Sequence, residues 1–291
     1  MRLDRAYCYA ITVILLWSTV ASAFKITLRY LNVLQMLFYS SMTSFIVFSV
    51  AIVAFNKVDM LRSYSLRDYM YSALLGFLNP LLYYTVLFKA YSLLPAQIAQ
   101  SLNYTWPIAI ALLSTIILNQ KVGLKEIAAL LVSFIGVVVV ITGARAIEYT
   151  AFKYSGVFYA LCSAFIWAFY WTLNARDKRD EILKLFLNFL FGTIYIYAIV
   201  LLNSISLAVP FEGLAGAIYI GLFEMGVTFL LWLKALTLSK KAAYVSNLIY
   251  VVPFISLLFI RLTVGETISS STIFGLTLIV SGIIAHKRIS K

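Results

Sequence analysis

Long apolar runs separated by short polar clusters extend along the whole chain. Cutting the sequence at these clusters gives segments of about 20 residues, the length that an α-helix needs to cross a bilayer. The connections are mostly short, so the pattern predicts an all-α integral membrane protein with no separate soluble domain. The ten predicted spans are residues 6–27, 33–55, 69–91, 95–118, 123–143, 154–174, 183–206, 214–236, 241–263 and 267–285.

The composition agrees with a membrane location. Hydrophobic residues make up 63% of the chain and charged residues only 12%, whereas soluble domains are about 45–50% apolar. The net charge is +12, but basic residues stand singly between apolar runs, so we expect no nucleic-acid partner. When the ten predicted spans are followed across the membrane, lysine and arginine concentrate on the side that holds the N-terminus. Because such residues favour the cytoplasmic side, this predicts a multi-pass cell-membrane protein with both termini in the cytoplasm. The expected partners are the lipid bilayer and a small-molecule substrate.

The residue types that support catalysis inside a membrane are missing from the sequence. The single histidine, His286, lies near the C-terminus, and Cys8 and Cys162 have no CxxC spacing. The sequence contains no HExxH motif, no paired aspartates and no phosphate-binding P-loop. We therefore expect no enzyme activity, no metal and no cofactor, and any transport would have to be driven by a gradient.

The two halves of the sequence repeat one another. With one gap Gly76 falls on Gly221, and a shift of 150 positions places Trp17 on Trp167. For this reason we expect the N-terminal run to be the first span, although it has the outline of a cleavable signal peptide. Five spans in each half, an odd number, predict inverted repeats over residues 1–145 and 146–291 around a central cavity. A shift of 146 positions aligns Tyr104 with Tyr250, Pro107 with Pro253, Ala129 with Gly275 and Gly136 with Gly282.

Three features resemble a known family. They are the tryptophan in the first span of each half, the polar fourth span with its proline, and the stretch TVGETISSSTIFGLTLIVSGIIAHK that contains Gly265 and Glu266. With these features the sequence resembles the EamA-type transporters of the drug/metabolite transporter superfamily. The resemblance implies a ten-helix secondary transporter that exports amino acids or similar small amphipathic metabolites by alternating access. The first half has Asn119 and Gln120 in place of Gly265 and Glu266, and we interpret Glu266 as a helix-start residue at the membrane interface.

Polar side chains at helical spacing form matching stripes in the fourth and ninth predicted spans. In hydrocarbon each needs a protein or water partner, so we expect the stripes to face a cavity, although they could instead hold helices together. Trp17 and Trp167 lie about ten residues inside their spans, near the membrane midplane, which predicts an aromatic cavity wall. Pro80, Pro107 and Pro253 are predicted hinges or static bends. The predicted lining comprises Trp17, Ser22, Asn79, Tyr83, Gln97, Gln100, Ser101, Tyr104, Trp167, Tyr170, Trp171, Glu224, Thr228, Ser246, Asn247 and Tyr250.

Glu224 is the only acidic residue deep in any predicted span, and its counterpart in the first half is Asn79. An acidic side chain at that depth costs about 2.5–3.5 kcal/mol, so it needs a partner or a use. Two interpretations are open. Glu224 is either a neutral acid bonded to a neighbouring helix, or a cavity-facing carboxyl that takes up a coupling proton or the ammonium group of a substrate.

Two other functions stay open. An uptake permease or exchanger for phosphorylated or nucleotide-linked metabolites would need lysine or arginine deep in the cavity, where the sequence places none clearly. A channel is the other alternative. The sequence leaves open the substrate, the direction of transport, the coupling ion and the oligomeric state.

Overall fold

The structure, a computed structural model, describes residues 2–117, 123–146, 153–239 and 247–289. These residues form helices and connections, with no strand among them. Eight helices in these ranges are long and apolar enough to cross a membrane, and a shorter apolar helix spans Leu248–Val264. The eight are Arg5–Thr27, Val33–Ala54, Leu66–Leu93, Leu124–Gly143, Tyr154–Asn174, Glu181–Leu202, Phe211–Leu238 and Ser270–Ile289.

Thirteen α-helices are defined in the described part of the chain, because several spans are divided. In chain order they are α1 (Arg2–Thr27), α2 (Val33–Ala54), α3 (Leu66–Gly76), α4 (Tyr83–Leu93), α5 (Ala96–Asn103), α6 (Trp106–Ile117), α7 (Leu124–Ala146), α8 (Tyr154–Asn174), α9 (Glu181–Leu202), α10 (Phe211–Ile220), α11 (Val227–Leu238), α12 (Val252–Phe259) and α13 (Ser270–Ile289). Two π-helical stretches interrupt long spans. The first π segment is Phe77–Leu82, and the second π segment is Gly221–Gly226.

The fourth predicted span is divided into α5 and α6 by a turn at Tyr104 and Thr105. Pro107 has no N–H to donate to the carbonyl of Asn103, four residues earlier, and Asn103 is where α5 ends. Of the ninth predicted span, positions 247–263 are among the described residues, and positions 241–246, with Ser246, lie outside them.

The chain folds into two compact units, and each contains helices from both halves of the sequence. The first unit consists of Met1–Thr85 and Asp177–Phe259, and the second consists of Val86–Arg176 and Ile260–Lys291. In the first unit α1 packs against α10, α11 and α12, while α2 packs against α9 and the second π segment. The first π segment and α3 pack against α9.

Side-chain caps set where α2 and α9 begin. Asn32 accepts a hydrogen bond from the Gln35 backbone at 2.9 Å, and the Gln35 side chain accepts one from the Asn32 backbone at 3.0 Å. Asp180 accepts bonds from the backbone N–H groups of Ile182 and Leu183. These caps satisfy N–H groups that have no partner within the helix, so each helix starts directly after a short connection.

In the second unit α7 and α13 pack closely through glycines. A Cβ atom at Gly136 would lie 2.5 Å from the carbonyl oxygen of Gly275, so only glycine permits this separation of the two backbones. Ser133 donates a hydrogen bond to the carbonyl of Ile279 at 3.0 Å in the same contact. On the opposite face of α7, Phe134 and Ile135 are exposed, as expected for side chains that face lipid.

Candidate functional site

The second π segment holds Glu224 inside the long apolar span Phe211–Leu238. Gly226 departs from helical geometry, with φ −105° and ψ −97°, so the backbone is interrupted beside Glu224. Side chains bond to two carbonyl oxygens at this interruption. Thr228 donates to the carbonyl of Phe223 at 2.6 Å, and the Trp17 indole N–H donates to the carbonyl of Glu224 at 3.3 Å. Side-chain hydrogen bonds therefore satisfy these two backbone carbonyls at the interruption.

The carboxyl group of Glu224 has one protein partner among the described residues. The hydroxyl of Tyr84, which is fully buried, donates to Glu224 Oε1 at 3.1 Å. No lysine or arginine in the described part of the chain pairs with this carboxyl, and its side chain is partly exposed. One carboxyl oxygen therefore has a neutral donor, and the other has no bonding group of the described protein.

Other aromatic rings pack against Trp17, whose indole N–H bonds to the backbone carbonyl of Glu224. The Trp17 ring lies 5.6 Å from the ring of Trp232 and 6.1 Å, edge to face, from that of Phe229. Trp17 and Trp232 both belong to the apolar contact between α1 and α11. Glu224, Tyr84, Trp17, Phe229 and Trp232 all lie in the first unit, and we call them the Glu224 site.

The first π segment places Asn79 at the corresponding interruption of the third span. Asn79 is non-helical, with φ −149° and ψ 116°, and it precedes Pro80. The Asn79–Pro80 peptide bond is cis. The Pro80 ring packs against Gly192 of α9, where a Cβ atom would lie 2.4 Å from Pro80 Cδ. The Asn79 side chain is fully buried, and neither of its polar atoms has a hydrogen-bond partner among the described residues.

The two interruptions pack in equivalent ways. A Cβ atom at Gly76 would lie 2.5 Å from the carbonyl oxygen of Asn188 in α9, and one at Gly221 would lie 2.5 Å from that of Ser40 in α2. Each glycine stands directly before or at the start of its π segment. The span Leu66–Leu93 thus approaches α9 closely, and the span Phe211–Leu238 approaches α2 in the same way. Asn79 and Glu224, matched by sequence, both fall within these interruptions.

Other predicted lining residues of the first unit have diverse environments. Ser22 and Thr228 are buried, and the Ser22 hydroxyl has no hydrogen-bond partner in the described part of the chain. Tyr83 is buried and packs edge to face on Tyr84, with ring centres 4.6 Å apart. Asn247 is exposed, whereas Tyr250 is buried in the 3-10 turn Leu248–Val251. Pro253 follows this turn at the start of α12.

The predicted polar stripe of α5 lies in the second unit, and its residues are bonded differently. Gln97 is fully buried; its amide donates to the carbonyl of Thr267 at 3.0 Å and accepts from the backbone N–H of Ser269 at 3.0 Å. Ser101 donates to the carbonyl of Gln97. Gln100 is buried, and no group of the described residues bonds to its Oε1. Tyr104 lies in the turn that follows α5. The bonds of Gln97 give this amide a structural role at the start of α5.

Glu266 has a role that sequence reasoning missed. It does not begin its own helix, because α13 starts at Ser270. Its carboxylate instead accepts bonds from the backbone N–H groups of Ala96 at 2.6 Å and Gln97 at 3.2 Å. Pro95, the residue before α5, supplies no side-chain cap, so Glu266 caps this helix from a distant segment. The only sequence signal is a helix start without a capping residue.

The aromatic residues predicted on α8 form one cluster in the second unit. The ring centre of Trp167 lies 5.9 Å from that of Tyr170 and 5.6 Å from that of Trp171. Tyr170 is buried, and the two tryptophans are partly exposed. The prediction that this cluster and the Glu224 site face one cavity stays a prediction.

A buried ion cluster that the sequence did not predict joins the α2–α3 connection to the start of α9. Arg179 donates three hydrogen bonds to the carboxylate of Asp177 and one to the carbonyl of Asp68. Its guanidinium lies 5.4 Å from the ring centre of Tyr64. Burial raises the pKa of Asp177, but the hydrogen bonds and charge of Arg179 more than offset this, so the pKa of Asp177 lies below its ordinary value.

The described residues form a multi-pass α-helical membrane protein, in which π segments interrupt two spans and a buried tyrosine bonds to the carboxyl group of Glu224. The profile of the EamA-like transporter family matches residues 4–142 and 154–286. Because these segments make up most of the chain, the protein belongs to the EamA-like transporter family, and it is a transporter rather than an enzyme.

Similar proteins agree with this assignment. An "Uncharacterized transporter" of Clostridium kluyveri is 25% identical over 228 residues, which cover 76% of this chain and 72% of the relative. The "Uncharacterized transporter YdfC" of Bacillus subtilis is 24% identical over 238 residues, with coverage of 81% and 76%. One solved crystal structure matches with a TM-score of 0.67 and 22% identity, covering 99% of this chain and 100% of that chain. At this identity the structural match shows the fold alone.

Proposed function

We propose that this transporter exports amino acids or similar small amphipathic metabolites across the cytoplasmic membrane by alternating access, driven by an ion gradient. The proposal includes ten spans in two inverted repeats, residues 1–145 and 146–291, with both termini in the cytoplasm. The two segments that match the family profile, 4–142 and 154–286, support a division of the chain into two similar halves.

Contacts between α7 and α13 also support inverted repeats. When the two halves are aligned by a shift of 146 positions, Ala129 corresponds to Gly275 and Gly136 corresponds to Gly282. A Cβ atom at Gly282 would lie 2.5 Å from the carbonyl oxygen of Ala129, and one at Gly136 would lie 2.5 Å from that of Gly275. If each residue is replaced by its counterpart in the other half, the contact of Gly136 with Gly275 becomes the contact of Gly282 with Ala129. Reciprocal contacts of this kind are what a two-fold axis between two similar parts produces.

The observation that carries the proposal is the pair of π segments at equivalent places in the two halves. In secondary transporters with repeats, interrupted helices near the midplane provide the polar groups that bind substrate and coupling ions. Here the interruptions carry Asn79 and Glu224. Glu224 is the candidate coupling residue, because a carboxyl at this depth is costly and it has no cationic partner among the described residues.

A counterflow screen in proteoliposomes tests the proposal. Vesicles are loaded with one amino acid, amine or sugar phosphate at a time, and the uptake of a labelled trace is measured with and without a pH gradient. We expect saturable exchange of amino acids or amines that the pH gradient accelerates. Exchange of sugar phosphates alone would favour the alternative permease, and uptake that does not saturate would indicate a channel.

Glu224→Gln provides the matching variant, because it keeps the shape of the side chain without the ability to change charge. We expect it to lose acceleration by the pH gradient. Glu212→Gln is the control, since Glu212 is exposed in the first turn of the same span. Equal behaviour of the two variants would contradict the role of Glu224.

A further inference from the structure

We propose that the side chains of Arg67 and Lys178 bind the anionic headgroup of a phospholipid whose chains lie along the exposed apolar face of α3. Leu66, Met70 and Leu74 form this face. We call the five residues the Arg67–Lys178 surface. The partner is a component of the bilayer, so the inference is independent of the transported substrate and of the Glu224 site.

The two cations lie at one membrane surface. The segment 55–65 joins two successive membrane-spanning helices, so it lies outside the hydrocarbon, and Arg67 follows it in the first turn of α3. Lys178 lies in the connection before α9. Arg179 donates a hydrogen bond to the carbonyl of Asp68 at 2.8 Å. Arg67 and Lys178 are the sequence neighbours of these two residues, so the bond places both cations at the same level of the membrane.

Positive charge remains uncompensated at this surface. Arg67 and Lys178 are exposed, and neither belongs to an ion pair in the described part of the chain. The acidic side chains nearest to them in sequence already have partners within the protein, which are Asp177 with Arg179, Asp180 with Lys57, Glu181 with Lys184 and Asp68 with Ser65. The two cations are therefore available to an anion from outside the protein, and a lipid headgroup is the anion present at this level.

The apolar face begins in the same turn as Arg67. Leu66, Met70 and Leu74 are each four residues apart, and their exposed fractions are 76%, 65% and 47%. Side chains at this spacing share one face of a helix, and Arg67 precedes Met70 by three residues on that face. A long basic side chain at the end of a span reaches the headgroups while its methylene groups cover apolar surface. The cation and the face together therefore suit a molecule with acyl chains and an anionic head.

A buried arginine holds the two connections in place. The Arg179 side chain is almost fully buried, and its guanidinium lies 5.4 Å from the ring centre of Tyr64 and 6.0 Å from that of Tyr71. The backbone that carries Arg67 and Lys178 is therefore packed before any lipid binds. Binding to a preformed surface loses less conformational entropy than binding that must first order a segment.

The test is a lipid-binding titration of the purified full chain in detergent. Phosphatidylglycerol and phosphatidylcholine with the same acyl chains are added in turn, and native mass spectrometry measures how much of each stays bound. We expect saturable binding of phosphatidylglycerol that is tighter than that of phosphatidylcholine by about tenfold or more, because each basic residue near the surface favours anionic lipid by about fivefold. Added salt should weaken this preference, since exposed charges are screened.

Variants assign the preference to this surface. Arg67→Gln and Lys178→Gln should each weaken the binding of phosphatidylglycerol by about fivefold and leave that of phosphatidylcholine unchanged. Lys234→Gln is the matched control, since Lys234 is an exposed cation of the same unit outside the surface. It should bind phosphatidylglycerol like the wild type. Arg67→Lys and Lys178→Arg keep the charge and should keep the affinity.

Three outcomes would overturn the inference. The first is equal affinity of the wild type for the two phospholipids, a comparison that needs no variant. The second is a loss in Lys234→Gln as large as that in Arg67→Gln or Lys178→Gln. The third is displacement of phosphatidylglycerol by glycerol 3-phosphate, which has the phosphate without acyl chains and would reveal a site for soluble phosphate instead. Amino-acid counterflow in phosphatidylcholine vesicles tests the proposed function separately, so either result can fail alone.

Discussion

Tyr84 donates a hydrogen bond to Glu224 across 140 positions of sequence, and this bond links the helix after the first π segment to the second π segment. Each interruption by itself is a local feature of one span. The bond brings the two interruptions close together, since Tyr84 follows Asn79 by about one turn. Tyr84 is fully buried. The position of the Glu224 carboxyl therefore depends on both halves of the chain.

Tyr84→Phe removes only the hydroxyl of this pair. A hydrogen bond to a charged group contributes about 1.5–3 kcal/mol, so we expect substrate affinity or the transport rate to change by about tenfold or more while the protein still folds. Counterflow rates over a range of substrate concentrations measure the effect. Tyr39→Phe is the control, because its hydroxyl bonds to the carbonyl of Leu207 away from the site. Unchanged kinetics in Tyr84→Phe would show that this bond has no part in transport.

Arg179→Ala should destabilise the connection between α2 and α3. The arginine is almost fully buried, and its loss leaves the Asp177 carboxylate without its partner. We expect a loss of about 1–3 kcal/mol in unfolding free energy, measured as thermal unfolding in detergent. Arg62→Ala is the matched control, since the Arg62–Asp59 pair is fully exposed, and it should leave the unfolding temperature unchanged. An equal effect of both variants would contradict a special role for the buried pair.

The same cluster predicts acid sensitivity. For both Asp177 and Asp180 burial raises the pKa, but hydrogen bonds and positive charge, from Arg179 and from Lys57 respectively, lower it by more. Because these pKa values are lower in the folded than in the unfolded protein, the stabilisation is complete above the unfolded value of about 3.9. It is lost as the pH falls below that value through the folded pKa. Unfolding temperatures measured between neutral pH and about pH 3 should fall more in the wild type than in Arg179→Ala.

Glu266→Gln tests the cap of α5. The amide weakens the bonds that the carboxylate accepts from Ala96 and Gln97, and it removes a negative charge favoured at a helix N-terminus. We expect a loss of about 0.5–2 kcal/mol in stability, read from thermal unfolding. Glu212→Gln is the matched comparison, because it removes an exposed first-turn carboxylate that has no capping bond of this kind, so it measures the charge effect alone. If transport falls without any change in stability, Glu266 has a function beyond capping.

Trp167→Ala tests the predicted aromatic cavity wall. The ring contacts Tyr170 and Trp171, so its loss opens the cluster on α8. Stacking and cation–π contacts are worth about 0.5–2 kcal/mol each, so transport of aromatic or cationic substrates should fall more than that of small aliphatic ones. Competition between the two substrate types in counterflow measures the difference. An equal loss for all substrates would indicate a packing role.

Much of the fold follows from local sequence. Apolar runs of span length determine membrane helices, because the transfer of each segment into hydrocarbon depends mainly on its own composition. The alignment of the two halves also identified Asn79 and Glu224 as counterparts, since a repeat keeps residues in register. A bend at Pro80 was predicted from the proline itself. The interruption at Glu224 was not predicted, because that segment has no proline.

The sequence by itself determined that this chain lies in a membrane, which segments are apolar enough to cross it, and that one acidic residue lies deep among them. Tertiary structure alone decided the long-range partners of the polar groups. Tyr84 meets Glu224, Glu266 caps α5 and Arg179 holds Asp68, at separations of 140, 170 and 111 positions for the bonded residues. Helix formation is governed by neighbours in sequence, whereas these bonds form only after helices pack, because each needs a buried donor and acceptor within about 3 Å.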